Sequence, residues 1–113
     1  MRWFLRSKIH KATVTETDLN YTGSIGIDKA LMEKVGILAG ERVLVADNTN
    51  GARLETYVIE EEKDSGKIVI YGAASRLIKK GDEIIIMGFE LTDKPIKAKN
   101  ILVDKNNKFL RFL

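Results

Sequence analysis

Few side chains in this 113-residue sequence can do chemistry, and they fall into small groups. Lys8 and His10 are two apart in a stretch of strand character, so a period of two puts an ammonium and an imidazole on one face. Arg53 and Tyr57 are four apart and share a face of another such stretch, while Thr56 faces the other way unless the strand bends. An arginine can grip a carboxylate through two parallel hydrogen bonds, and a phenol can give or take a proton. Ser24 follows Gly23 in a turn-rich segment, Asp18 to Gly26. That places a hydroxyl next to a carbonyl carbon that no side chain obstructs. Taken singly, each group also fits a plain structural role: a half-exposed strand, a surface cation, a ring at the core edge, a tight turn.

Composition narrows the chemistry further. There is no Cys, so disulfides, thiolate nucleophiles and cysteine-based zinc sites are excluded. His10 is the only histidine, which excludes a histidine-cluster metal site. No phosphate-binding loop, dinucleotide fingerprint, nucleophile elbow or zincin pattern occurs. Hydrophobic residues make up 44% and charged residues 31%, a balance that suits a folded domain rather than a disordered chain. Met1 to Arg6 is too short and too quickly charged for a secretory signal, and no run of about 18 apolar residues exists to cross a membrane. A cytoplasmic location is expected. The net charge of +3 is a mild bias that selects no partner by itself. Much of it lies from Lys94 to Leu113, where six Lys or Arg face one acid, Asp104, as in a solvated rim.

The elements that must position these groups are short. Trp3 to Val14 reads as a strand with Lys8, His10, Ala12 and Val14 on one face. After the turn-rich segment comes a helix, with Asp28 as N-cap, apolar Ala30, Leu31 and Val35, and Gly36 as its stop. Arg42 to Ala46 and Arg53 to Ile59 read as the arms of a hairpin around Asn48-Thr49-Asn50-Gly51. Asp64-Ser65-Gly66 turns the chain into a strand from Lys67 to Tyr71. Gly72-Ala73-Ala74-Ser75 then opens a short helix toward Leu77, and Glu83 to Phe89 is a further strand. Phe109 to Leu113 is apolar enough to need cover from the same chain or a neighbour. Gly40-Glu41-Arg42-Val43-Leu44-Val45 is echoed by Gly81-Asp82-Glu83-Ile84-Ile85-Ile86, each copy after a helical segment. A duplicated strand-and-helix unit that closes on itself predicts a mainly β domain, a small barrel with pseudo-twofold symmetry and no free edges.

In order and spacing these segments resemble the pyruvoyl-dependent aspartate 1-decarboxylases. The likeness runs from Lys8 to Phe89 through Lys8-Ile9-His10, Asp18-Leu19-Asn20-Tyr21-Thr22-Gly23-Ser24, Ile27-Asp28, Asn48-Thr49-Asn50-Gly51 with Arg53, Thr56 and Tyr57, and Gly72-Ala73-Ala74. It implies a double-psi β-barrel with short helices, residues 1–113 forming one domain. It also implies a homotetramer with active sites between subunits, and self-cleavage into residues 1–23 and 24–113. Ser24 becomes a pyruvoyl group, which takes L-aspartate as a Schiff base and releases carbon dioxide and then β-alanine for pantothenate biosynthesis.

The same resemblance assigns roles. Gly23, Ser24 and Thr56 belong to processing, with Thr56 the donor to the oxyanion. Ser24 and Tyr57 are catalytic, Tyr57 as proton donor. Lys8, His10, Arg53, Tyr21, Gly72, Ala73 and Ala74 surround the substrate. Tyr71 departs from the family, which commonly has Asn there to position groups at the processing bond; a phenol has no amide, but its hydroxyl can donate from farther away. Two other readings compete. Ile27 to Val45 resembles dimeric swapped-hairpin transcription regulators, although the scattered Lys and Arg form no stripe for nucleic acid. Tyr71 is also compatible with an unprocessed, non-catalytic relative.

Overall fold

A computed structural model describes residues Met1–Leu113. Nine strands dominate: β1 (Arg2–Thr13), β2 (Glu16–Asp18), β3 (Ser24–Asp28), β4 (Arg42–Asp47), β5 (Arg53–Glu61), β6 (Ile68–Tyr71), β7 (Glu83–Thr92), β8 (Lys99–Val103) and β9 (Phe109–Phe112). One helix, α1 (Lys29–Val35), and one 3-10 turn, Gly72–Arg76, complete the chain. The strands hydrogen-bond in the order β2-β6-β3-β5-β4-β7-β1-β8-β9. The fold is mainly β with short helices, as expected, and no helix is long and apolar enough to cross a membrane.

The repeat seen in the sequence is a repeat in space. Gly40 and Gly81 both take positive φ, 84° and 90°, which a side chain would resist. The acid after each glycine reaches back to a backbone amide: Glu41 Oε1 accepts from Leu38 N at 3.1 Å, and Asp82 Oδ2 from Lys79 N at 2.9 Å. Each glycine amide donates to a residue distant in sequence, Gly40 to the Val58 carbonyl in β5 and Gly81 to the Val14 carbonyl just past β1, and Val58 and Val14 donate back to the Glu41 and Asp82 carbonyls. The two strands that follow pair with each other, Leu44 opposite Met87 and Val45 opposite Ile86. The chain leaving β1 also ties the two flanks of the sheet together. Val14 donates to Asp82, just before β7, while Thr15 donates to Ile68 at the start of β6.

A core of Ile, Val and Leu fills the interior, with Ile9, Ile25, Ile27, Val45, Val58, Ile68, Ile84, Ile86 and Ile101 without solvent exposure. Burying each such side chain stabilises by about 1.5–3 kcal/mol before entropy is counted. Asp28 caps α1 as expected, accepting from Ala30 N at 2.8 Å, and Gly36 ends it with φ 76°.

Three expectations need correction. Lys11 has φ 64° and sits in a register shift between Ile9 and Ala12. This bulge reverses the alternation, so Ala12 and Val14 join Ile9 in the core while Lys8 and His10 remain partly exposed. The turn-rich reading of Asp18 to Gly26 hides strand β3, whose five residues are all buried. Residues after Phe89 do more than form a rim: β8 runs parallel to β1, and β9 pairs antiparallel with β8.

Candidate active site

The Gly23-Ser24 bond lies where a surface turn becomes a buried strand. Gly23 is exposed, whereas Ser24 is 1% exposed. Pairing in two directions fixes β3: Ser24 lies opposite Tyr71 in the antiparallel ladder with β6, and Ile25 beside Val58 in the parallel ladder with β5. The Ser24 hydroxyl donates to the Thr22 carbonyl at 3.0 Å, so its oxygen is already held within the turn that contains the Gly23 carbonyl. Gly72, with φ 75°, backs this turn. A Cβ there would fall 2.6 Å from Gly23 Cα, so only glycine allows the two backbones to approach so closely.

In front of the bond is a cavity of about 500 Å³ lined by Gly23, Leu54, Glu55, Thr56, Tyr57, Tyr71, Ala73, Ala74 and Leu77. Five of the expected site residues, Gly23, Thr56, Tyr57, Ala73 and Ala74, therefore meet in one place. Both Thr56 and Tyr57 reach it despite facing opposite sides of β5. Tyr21 borders it through its ring, 4.8 Å from that of Tyr71. The residues present fit a pyruvoyl group made from Ser24: a serine held behind an unobstructed glycine carbonyl, with small residues and the hydroxyls of Thr56, Tyr57 and Tyr71 at the cavity wall.

The cations are elsewhere within the chain. Arg53 starts β5, exposed and opposite Ala46. Lys8 and His10 lie on β1, which β4 and β7 separate from β5 in the strand order. None of the three lines the cavity. Burial chiefly, and then the Lys8 and Lys11 charges, hold the His10 imidazole below its usual pKa of 6.5, against a smaller opposing pull from Glu83. This favours the neutral imidazole near pH 7. Its Nδ1 is buried without a partner in the chain.

Tyr71 does not stand in for the amide. Its hydroxyl donates to Glu61 Oε2 at 2.8 Å rather than to a group at the Gly23-Ser24 bond. Burial first, and then this bond and the Glu61 charge, push the phenol up to about 12. Sequence reasoning missed Glu61, and also Leu54, Glu55 and Leu77 in the cavity wall. Gly26 inside an apolar strand is the one signal for Glu61, since such a glycine marks something crossing close above it.

The aspartate decarboxylase family model matches residues 1–110. An aspartate 1-decarboxylase of Clostridium botulinum is 53% identical over 107 residues, covering 91% of this chain and 86% of its own. One of Thermoanaerobacter pseudethanolicus is 52% identical over 111 residues, covering 95% of both. One of Thermotoga petrophila is 48% identical over 108 residues, covering 96% and 95%.

Proposed function

The chain belongs to the aspartate decarboxylase family, and from that premise we propose that the Gly23-Ser24 bond is where it cuts itself and that the cavity before that bond receives the substrate. Its activity is the pyruvoyl-dependent decarboxylation of L-aspartate to β-alanine and carbon dioxide, a supply for pantothenate biosynthesis. The observation that carries the site is the buried Ser24 hydroxyl, held at 3.0 Å from the Thr22 carbonyl beside an exposed glycine.

Processing begins when Ser24 Oγ adds to the Gly23 carbonyl carbon. The C–N bond breaks, and the amide becomes an ester with the Ser24 nitrogen free. Thr56, at the cavity wall with Gly23, donates to the oxyanion that forms. Loss of the Ser24 α-proton expels the Gly23 carboxylate from Cβ. The dehydroalanine left behind takes up water and releases ammonia, so residue 24 becomes pyruvoyl. Residues 1–23 and 24–113 are the two products.

The pyruvoyl ketone supplies a carbonyl for the substrate amine and a sink for the electron pair that carbon dioxide leaves. The chain's own groups do the rest. Arg53 grips a carboxylate in a bidentate pair, and Lys8 adds charge. His10 offers a neutral imidazole that a bound anion would favour in its protonated form. Tyr57, 39% exposed at the cavity, holds the proton delivered to the carbon that has lost its carboxylate. Gly72, Ala73 and Ala74 keep the wall low, and Tyr21 closes one side.

The closed form of the sheet is a double-psi barrel, supported by the paired Gly40 and Gly81 turns and by the Val14–Thr15 bridge between flanks. The assembly is a homotetramer in which Lys8, His10 and Arg53 of one subunit serve the cavity of a neighbour. Support comes from their absence around the chain's own cavity and from the exposed Trp3, Phe89, Leu91, Phe112 and Leu113. Borohydride trapping with L-aspartate tests the site. The 24–113 fragment should gain the mass of the reduced aspartate adduct at its first residue, and a 24–113 fragment that gains no aspartate mass would reject it.

A further inference from the structure

Tyr71 and Glu61 remain without a role in the reaction described above, yet Tyr71 stands opposite Ser24 in the ladder and lines the cavity with Gly23. Directly opposed residues of an antiparallel ladder present their side chains to the same face, and Tyr71 is opposite Ser24. Gly26, two residues on from Ser24, shares that face. A side chain at Gly26 would collide with the Glu61 carboxylate, so Glu61 occupies the space that Gly26 leaves. From there Glu61 Oε2 accepts the Tyr71 hydroxyl at 2.8 Å. The other side of the Tyr71 ring meets Tyr21, centroid to centroid at 4.8 Å. Tyr21 opens the turn Tyr21–Gly23, whose far side rests on Gly72.

We propose that Tyr71 and Glu61 are positioning residues for self-cleavage: a phenol clamped by a carboxylate, which holds the Tyr21–Gly23 turn against Ser24. The inference rests on cleavage at Gly23-Ser24 as proposed above. Its physical basis is orientation. Ser24 Oγ must leave the Thr22 carbonyl and approach the next carbonyl carbon along a narrow path, and a turn free to shift spends most of its time elsewhere. The β3–β6 ladder fixes the serine end of the bond. Once Ser24 Oγ leaves the Thr22 carbonyl, Gly72 and the Tyr21–Tyr71 ring pair hold the glycine end. A ring tethered by its hydroxyl has one orientation, whereas an untethered ring on a strand end has several. The clamp thus acts through a part-buried hydrogen bond on the turn rather than on the reacting atoms, and Gly26 is the space that permits it.

The rate at which newly made chain splits, followed by pulse labelling and intact mass, tests this. Tyr71→Phe keeps the ring on Tyr21 and removes only the tether; Glu61→Ala removes the acceptor. Each should slow splitting about tenfold, the worth of one partly buried hydrogen bond to a charged group. The double variant should be no slower than either single one, because both break the same contact. Glu61→Gln, whose amide oxygen can accept the same bond, should split within about twofold of the parent rate. Splitting of Tyr71→Phe at the parent rate, penalties that multiply in the double variant, or failure of Gln to rescue would each overturn the clamp. Should Glu61→Ala not fold, Tyr71→Phe against Glu61→Gln makes the same distinction. A parent chain that never splits, or splits elsewhere, defeats the underlying cleavage site and the clamp with it. A parent that splits after Gly23 beside equally fast variants defeats the clamp alone.

Discussion

At the scale of residues, Ser24, Tyr57 and Tyr71 make separable claims. Ser24→Ala should fold, since a methyl group fits where a small buried hydroxyl donates one bond to Thr22. It should remain a single chain with no aspartate turnover; turnover near the parent level would remove Ser24 as the source of the ketone. Tyr57→Phe should still split, yet lose about two orders of magnitude in β-alanine formation, the usual worth of a positioned proton donor. Unchanged product formation would dismiss Tyr57. Tyr71 predicts a pH effect on stability. Its phenol titrates near 10.0 when unperturbed and near 12 in the fold, so between those values the folded chain holds a proton that the unfolded chain has lost. Stability should therefore fall with rising pH across that window. Urea midpoints over that range should show a shallower decline in Tyr71→Phe, and identical slopes would mean that the phenol is not held as described. These residues were unequally legible. Gly23-Ser24 is an ordinary turn by spacing alone, and the resemblance to a family singled it out. Glu61 was hard to read, because in sequence it is one of three adjacent acids, Glu60-Glu61-Glu62, and only the distant Gly26 hints at a group crossing there.

At the scale of elements, the short helix and the strand that feeds it depend on one buried carboxylate. Asp28 Oδ1 accepts from Ala30 N at 2.8 Å and from Asp64 N at 2.9 Å, and Oδ2 accepts from Gly66 N at 2.9 Å. It thus ties the N-terminus of α1 to the turn before β6, and both flank the ladder that holds Ser24. Asp28→Ala should cost about 2–3 kcal/mol, more than a helix cap alone, because three amides lose a charged acceptor. Chemical denaturation measures this, and a loss under about 1 kcal/mol would mean that water replaces the carboxylate freely. Elements with a clear local signature were legible: α1 between its cap and Gly36, the hairpin around Asn50-Gly51, and the repeated glycine-acid turns. Strand β3 was not. Buried on both faces, Ser24–Asp28 lacks the alternation that marks a strand, and Gly26 and Asp28 suggest a turn instead. The bulge at Lys11 was illegible too, since lysine carries no preference for positive φ.

At the scale of the whole molecule, the cavity and the cations stand apart within one chain. A radius of gyration of 13.1 Å is that of a compact domain of this length. Apolar side chains nevertheless remain on its surface, with Trp3 68% and Phe112 54% exposed. The sequence announced that the final segment needs cover. It could not announce that Lys8, His10 and Arg53 would miss the chain's own cavity, because that depends on strand order rather than on spacing. The proposed homotetramer would account for both features, and light scattering coupled to size exclusion should then give four subunits. Mixing Ser24→Ala with Arg53→Ala chains during co-expression should restore turnover if the arginine acts across an interface. Absence of restoration in a verified mixed assembly would place Arg53 at its own subunit's site.

If the enzyme generates its reactive carbonyl from its own backbone, intact mass of active, purified protein should show two species, residues 1–23 ending in a free carboxylate and residues 24–113 beginning with pyruvoyl in place of serine. A single full-length mass from protein that decarboxylates aspartate would contradict it.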